Sequence, residues 1–213
     1  IQDGLENIDM FLAPSAFVEN KVREYLPGLP MQVLPHFLAT APAPEVERED
    51  YYLIVARLER AKGIHTVLPL FRKNGLRLKI AGAGEAEQEL RAMAGGAANI
   101  EFLGRVPFAE LPSLYARARA TIVPSVCDET FGLVVLESLR QQTPVYVSPH
   151  GALPGLVAET GGGRVFRNAD ELGGMLGGEQ PVRADLSAFA PKTHLSRYLS
   201  MIDSMTRGRA ATV

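Results

Sequence analysis

From residue 51 onward the chain repeats one unit: a short, nearly continuous apolar run, a turn, and a stretch with helical spacing of apolar residues. The apolar runs fall at 51–56, 76–81, 100–103, 120–123, 145–148 and 164–166. Helical stretches lie between and after them, near 62–74, 85–94, 108–118, 131–142 and 169–177. A strand that is apolar on both sides of its pleat must be covered on both faces. Alternation with helices supplies that cover, so the pattern predicts a doubly wound, parallel α/β sheet of Rossmann-like type. In such sheets ligands bind where the strands end, near the point at which strand order reverses. The turns after 56, 81, 103 and 123 are therefore the places to look for chemistry.

The first 50 residues read differently. Residues 9–14 and 32–35 form short strand patterns, and Ser15 can cap a helix running to about Tyr25. Residues 39–45 (A-T-A-P-A-P-E) are Pro- and Ala-rich and read as a linker. A lone strand–helix pair cannot bury its apolar face, so this segment is expected to belong to the edge of another domain. At the other end, Leu195, Tyr198, Leu199 and Ile202 follow helical spacing within 192–205, and the last eight residues are expected to fray. The expected division is 1–44, 45–190 and 191–213.

Bulk properties exclude several classes. A net charge of −2 gives no global basic field for nucleic acid or anionic lipid. The single cysteine, Cys127, excludes an internal disulfide, and its acidic neighbours Asp128 and Glu129 make it a poor nucleophile. His36, His65, His150 and His194 share no metal-ligand spacing, so no metal is expected. No serine sits in a G-x-S-x-G elbow. No apolar run reaches membrane-spanning length.

Four turns carry candidate chemistry. In A-R-L-E-R-A-K-G (56–63), Arg57 and Lys62 can clamp a diphosphate, or they can be two surface cations, one of them pairing with Glu59. In I-A-G-A-G-E (80–85), Gly82 and Gly84 permit close approach to a phosphate or serve only as a tight turn. Glu87 stands where a dinucleotide fingerprint needs a third glycine, which argues against NAD. In F-L-G-R-V-P (102–107), the backbone at Arg105 and Val106 can meet a base edge. The richest turn is V-P-S-V-C-D-E-T-F-G-L-V-V-L-E (123–137), where a helix opens near Phe131-Gly132 with Glu129 before it and Glu137 inside it. Uncapped amides at a helix N-terminus favour an anion, while the two carboxylates can address other parts of one ligand. The competing reading makes Asp128, Glu129 or Thr130 a helix cap.

Taken in order, R-L-E-R-A-K-G, I-A-G-A-G, F-L-G-R-V, P-S-V-C-D-E-T-F-G-L-V-V-L-E-S-L and P-V-Y-V-S-P-H-G-A-L-P resemble the donor-binding C-terminal domain of GT-B-fold retaining glycosyltransferases, group 1 (family 4). The resemblance spans about 8–205, and its most specific part is the pair of glutamates followed by P-V. It implies transfer of a sugar from a nucleotide-diphosphosugar to an acceptor hydroxyl with retention and without a metal or cofactor. It implies that Glu129 contacts donor sugar hydroxyls and Glu137 the ribose. Arg57 and Lys62 would bind the diphosphate, the backbone of Phe131, Gly132, Leu133 and Val134 would hold sugar and phosphate, and Arg105 and Val106 would meet the base. Thr143 and Gly155 depart from a usual glycine and a usual acid.

The resemblance further implies that the chain, which begins at Ile1, is a fragment lacking an N-terminal acceptor domain. Alone it would bind nucleotide weakly and transfer nothing. A cytoplasmic location is expected, with any peripheral membrane association coming through the absent domain. The alternatives are a non-catalytic nucleotide-sugar-binding module or subunit and, less suited to the motif order, a non-hydrolysing sugar epimerase.

Overall fold

The computed structural model describes residues 2–42, 46–179 and 181–210; part of the expected 39–45 linker lies outside them. The chain forms two compact units, Thr40–Asp185 and a smaller one made of Ile1–Ala39 with Leu186–Val213.

In the smaller unit, strand β1 (Phe11–Ala13) pairs in parallel with β2 (Met31–Val33), and helix α1 (Ala16–Tyr25) connects them. The Ser15 hydroxyl caps α1 by accepting from the Val18 N–H at 3.3 Å, as its position before the helical run predicts.

In the larger unit, β3 (Tyr52–Val55) leads to α2 (Ile64–Asn74), β4 (Leu78–Ala81) to α3 (Glu87–Ala94), and β5 (Ile100–Gly104) to α4 (Leu111–Arg117). Then β6 (Ala120–Val123) leads to α5 (Leu133–Arg140), β7 (Val145–Val147) to α6 (Leu153–Thr160), and β8 (Gly163–Val165) to α7 (Ala169–Met175). In the smaller unit, α8 (Pro191–Ala210) closes the chain. The Leu38 N–H donates to Phe189 O at 2.9 Å, and Nδ1 of His194 lies 2.8 Å from Pro35 O. A carbonyl can only accept, so that nitrogen carries the proton.

The six strands form one all-parallel sheet in the order β5-β4-β3-β6-β7-β8. The chain builds outward from β3 to β5, then returns to lay β6 on the other side of β3. The reversal therefore falls between β3 and β6. The sequence pattern is explained by β3 itself. Tyr52 and Ile54 join the core with Val67, Phe71 and Leu90 from α2 and α3, while Tyr51 and Leu53 pack on Tyr115 and Ala118. Tyr51, Leu53 and Ile54 have no exposed surface and Tyr52 only 1%, so neither face of β3 meets water. Among the described residues, no buried side-chain polar atom lacks a hydrogen-bond partner.

Two elements differ from expectation. Helix α6 was not expected, because P-G at 154–155 reads as a turn. Pro154 sits in the first helical turn, where its missing N–H costs nothing. Helix α8 runs on through 206–210, where fraying was expected, with Thr206 donating to Asp203 O at 3.0 Å, while 211–213 lie outside the described residues. No helix of the described residues is long and apolar enough to cross a membrane.

Candidate functional site

Two turns flank the reversal point of the sheet, one after β3 and one after β6. They are stitched together: the Val126 N–H donates to Ala61 O at 3.0 Å. The first turn tightens into a single 3-10 turn, Arg60–Lys62, and Gly63 then starts α2. This throws Lys62 toward the second turn, where its ammonium donates to Oε1 of Glu129 at 2.7 Å. The Ser125 hydroxyl donates to the same oxygen at 2.5 Å. Ser125 is itself buried and anchored, since the Ser148 hydroxyl, just beyond β7, donates to Ser125 O at 2.6 Å. The other oxygen of Glu129, Oε2, accepts no hydrogen bond among the described residues. Lys62 and Glu129 keep 21% and 17% of their side-chain surface exposed, so the pair is largely withdrawn from water yet reachable by a ligand.

The backbone of Glu129 is gripped as firmly as its side chain. Ala152 N–H donates to Glu129 O at 2.7 Å. Gly151 adopts φ +65°, and a Cβ there would strike the Glu129 N and O atoms. Only glycine combines that conformation with that proximity.

Beyond Glu129 the chain turns into α5. Gly132, which has no side chain to offer, takes the N-cap position, so none of Asp128, Glu129 and Thr130 occupies it. The partial positive charge of the N-terminus is thus left beside the Lys62–Glu129 pair in sequence, with Leu133 44% exposed at its first position and Phe131 buried. Val134, half-buried, packs against the core cluster that contains Tyr115. In the second turn of α5, Glu137 accepts at Oε2 from the Tyr115 hydroxyl at 2.7 Å. Burial, reinforced by the charge and hydrogen bond of Glu137, pushes the Tyr115 phenol far above its ordinary range, so it remains a donor at any working pH.

The remaining expected residues are placed less tightly. Arg57 is 74% exposed and pairs with Glu59 at 2.7 Å, so it is the cation of the two that takes the surface pairing weighed from sequence. Gly82 has φ +144°, its N–H donates to Gly104 O at 2.7 Å, and a Cβ would meet Ala56 O. It therefore knits together the ends of β3, β4 and β5, and Gly84 also packs close on Leu58 O. Arg105 is exposed and Val106 half-buried in the turn after β5. Among the described residues, no hydrogen bond or ion pair joins Arg57 or Arg105 to Lys62, Glu129 or Glu137. No cluster of three or more metal-ligating side chains occurs among them either.

Sequence reasoning missed Ser125, Tyr115 and Gly151. Ser125 stands four residues before Glu129 in a loop, a spacing with no periodicity behind it. Tyr115 reads as a core aromatic of α4, and only its buried polar tip, which needs a partner, hints at more.

Residues 40–172 match the family model of glycosyl transferases group 1. The chain is similar to a D-inositol 3-phosphate glycosyltransferase of Corynebacterium urealyticum, at 31% identity over 165 residues, 68% of this chain and 38% of the relative. It is also similar to an alpha-monoglucosyldiacylglycerol synthase of Streptococcus pneumoniae, at 26% identity over 203 residues, 83% of this chain and 45% of the relative. The structure of sucrose-phosphate synthase from Thermosynechococcus elongatus superposes with a TM-score of 0.81 at 21% identity, over 96% of this chain and 60% of that one. That likeness gives the fold: the six-stranded unit is the Rossmann-like C-terminal half of a GT-B fold. The chain thus spans less than half the length of both relatives. It belongs to the group 1 glycosyltransferases.

Proposed function

We propose that this chain is the donor-binding part of a retaining glycosyltransferase that uses a nucleotide-diphosphosugar and no metal. The observation that carries the reading is the meeting of Lys62 and Glu129 across the reversal point of the sheet, at 2.7 Å. A cation held there can bind the diphosphate, and a carboxylate with one oxygen left over can accept from sugar hydroxyls.

In the reaction, the bond from the anomeric carbon to the diphosphate breaks and its electron pair leaves with the phosphate. The acceptor oxygen bonds the same face of the carbon, and its proton passes to the leaving phosphate. Negative charge therefore grows on the diphosphate as the oxocarbenium-like state forms. Lys62 and the uncapped start of α5 would stabilise that charge, with Arg57 reaching in once it leaves Glu59. Glu137 would hold the ribose, and the backbone at Arg105 and Val106 the base. The acceptor would be held by a further domain of the whole protein.

The test is transfer by the whole protein carrying Lys62→Ala or Glu129→Ala. Losing one such group should cost on the order of 3 kcal/mol of barrier, roughly a hundredfold in kcat. Turnover near wild type in both variants would remove the assignment.

A further inference from the structure

Both site glutamates share one arrangement: one carboxylate oxygen is consumed inside the protein and the other accepts nothing among the described residues. For Glu129 the consumed oxygen is Oε1, held by Lys62 and Ser125. For Glu137 it is Oε2, held by the Tyr115 hydroxyl alone. We propose that Tyr115 is the positioning residue that makes Glu137 selective for a ribose over a deoxyribose, by fixing which oxygen of Glu137 is offered to the ligand. The inference rests on the ribose-binding role given to Glu137 above.

The chain of contacts behind Glu137 supports a fixed geometry. Tyr115 is 1% exposed and lies in the core with Tyr51, just before β3, and Leu53 of β3. Its carbonyl is held too, for the Thr143 hydroxyl donates to Tyr115 O at 2.7 Å. On α5, the residue after Glu137 is tied to the same place: the Ser138 hydroxyl lies 2.8 Å from Thr121 Oγ1 and 3.0 Å from Thr143 O. Ser138, Thr121 and Thr143 are all fully buried. The Tyr115 backbone and the second turn of α5 are thus held by buried polar contacts to Thr143, and the Tyr115–Glu137 bond, which a rotation of either side chain would break, is set between these fixed points.

The chemistry follows from donor and acceptor counts. The tyrosine hydroxyl has one proton and spends it on Oε2. Oε1 of Glu137 is then an acceptor carrying negative charge, suited to hydroxyl donors and repulsive to phosphate. A pair of neighbouring ribose hydroxyls supplies such donors, and a 2′-deoxyribose supplies one fewer. Without the tyrosine hydroxyl, the carboxylate can turn about its terminal torsion, which has a broad energy well, and the directional preference is lost.

The test is titration of the 213-residue chain with ADP, GDP and UDP, each beside its 2′-deoxy counterpart, followed by NMR shifts and using the best-binding base thereafter. Wild type should prefer the ribonucleotide by about tenfold, the worth of one charge-assisted hydrogen bond. Tyr115→Phe should bring that preference to within about threefold while the 2′-deoxy affinity stays nearly unchanged. A purely structural role would weaken both nucleotides alike and leave their ratio intact, which would overturn the proposal. If Tyr115→Phe does not fold, Glu137→Gln decides: the hydroxyl should pin the amide carbonyl, so that a neutral amino group meets the ribose and the preference falls. An undiminished preference in Glu137→Gln contradicts the proposal. A wild type that binds all three bases without regard to the 2′-hydroxyl instead contradicts the role of Glu137 itself, and the proposal falls with it.

Discussion

The ammonium of Lys62 lies 2.7 Å from Oε1 of Glu129, although 67 residues separate them, because the turns after β3 and β6 face each other where the sheet reverses its order. With about four-fifths of each side chain withdrawn from water, the attraction is only partly screened. A double-mutant cycle of Lys62→Ala and Glu129→Ala, read by urea denaturation, should give a coupling of about 1–2 kcal/mol. A coupling near zero would mean that the pair does not persist in solution.

Gly151→Ala should lower stability by about 2 kcal/mol, since it combines a left-handed conformation with a clash against the Glu129 backbone. For a chain of this size that is roughly a 4–8 °C fall in Tm. Gly161→Ala, at φ +68° with nothing within 4 Å, is the control and should cost about 1 kcal/mol. Equal losses in the two variants would show that the contact with Glu129 has no weight.

Acid stability should depend on Glu179. Burial raises its pKa, but hydrogen bonds from Tyr52 and the Gly177 N–H, with the charge of Arg119, outweigh that and leave it below its ordinary 4.5. A depressed carboxylate contributes stability that is present above its unfolded pKa and lost as pH falls through its folded one. Urea midpoints should therefore drop below about pH 4.5, and Glu179→Gln should flatten that drop while costing about 2 kcal/mol at pH 7. At the alkaline end the sign reverses. Burial and Glu179 push Tyr146 up to about 12, so its contribution holds below its unfolded value near 10 and vanishes as pH rises through 12. A tyrosinate absorbance titration following unfolding should show this.

The Thr143 hydroxyl occupies a fully buried site, donating to Tyr115 O. Thr143→Gly would leave that carbonyl without this donor and loosen the backbone, at a cost of about 2 kcal/mol by thermal or urea unfolding. An unchanged midpoint would contradict the network drawn behind Glu137.

What the sequence discloses follows from what is periodic in it. Strands such as β3 are legible because both faces are buried, and Ser15 is legible because a cap must sit next to its helix. Helix α6 is hidden by Pro154-Gly155, whose turn signal is local while the apolar Leu153, Leu156 and Val157 that fix the helix are buried in the fold. At the site, residue types at strand ends point to Lys62 and Glu129, but not to their pairing, which depends on strand order. Arg57 and Lys62 look alike in sequence, yet one lies in solvent against Glu59 and the other reaches across the turn. Glu179 has no motif around it, and its hold on Tyr52, Tyr146 and Arg119 depends wholly on tertiary structure.

The central claim is that the Lys62–Glu129 turn pair is the diphosphosugar end of a donor site. Its most direct test is a thermal-shift comparison of UDP-, GDP- and ADP-sugars on the whole protein and on its Lys62→Ala and Glu129→Ala variants. The account predicts that at least one nucleotide-sugar raises the wild-type Tm and that the rise largely disappears in Lys62→Ala. In Glu129→Ala it should shrink to what the nucleotide diphosphate alone produces. The same shift in wild type and both variants would contradict it.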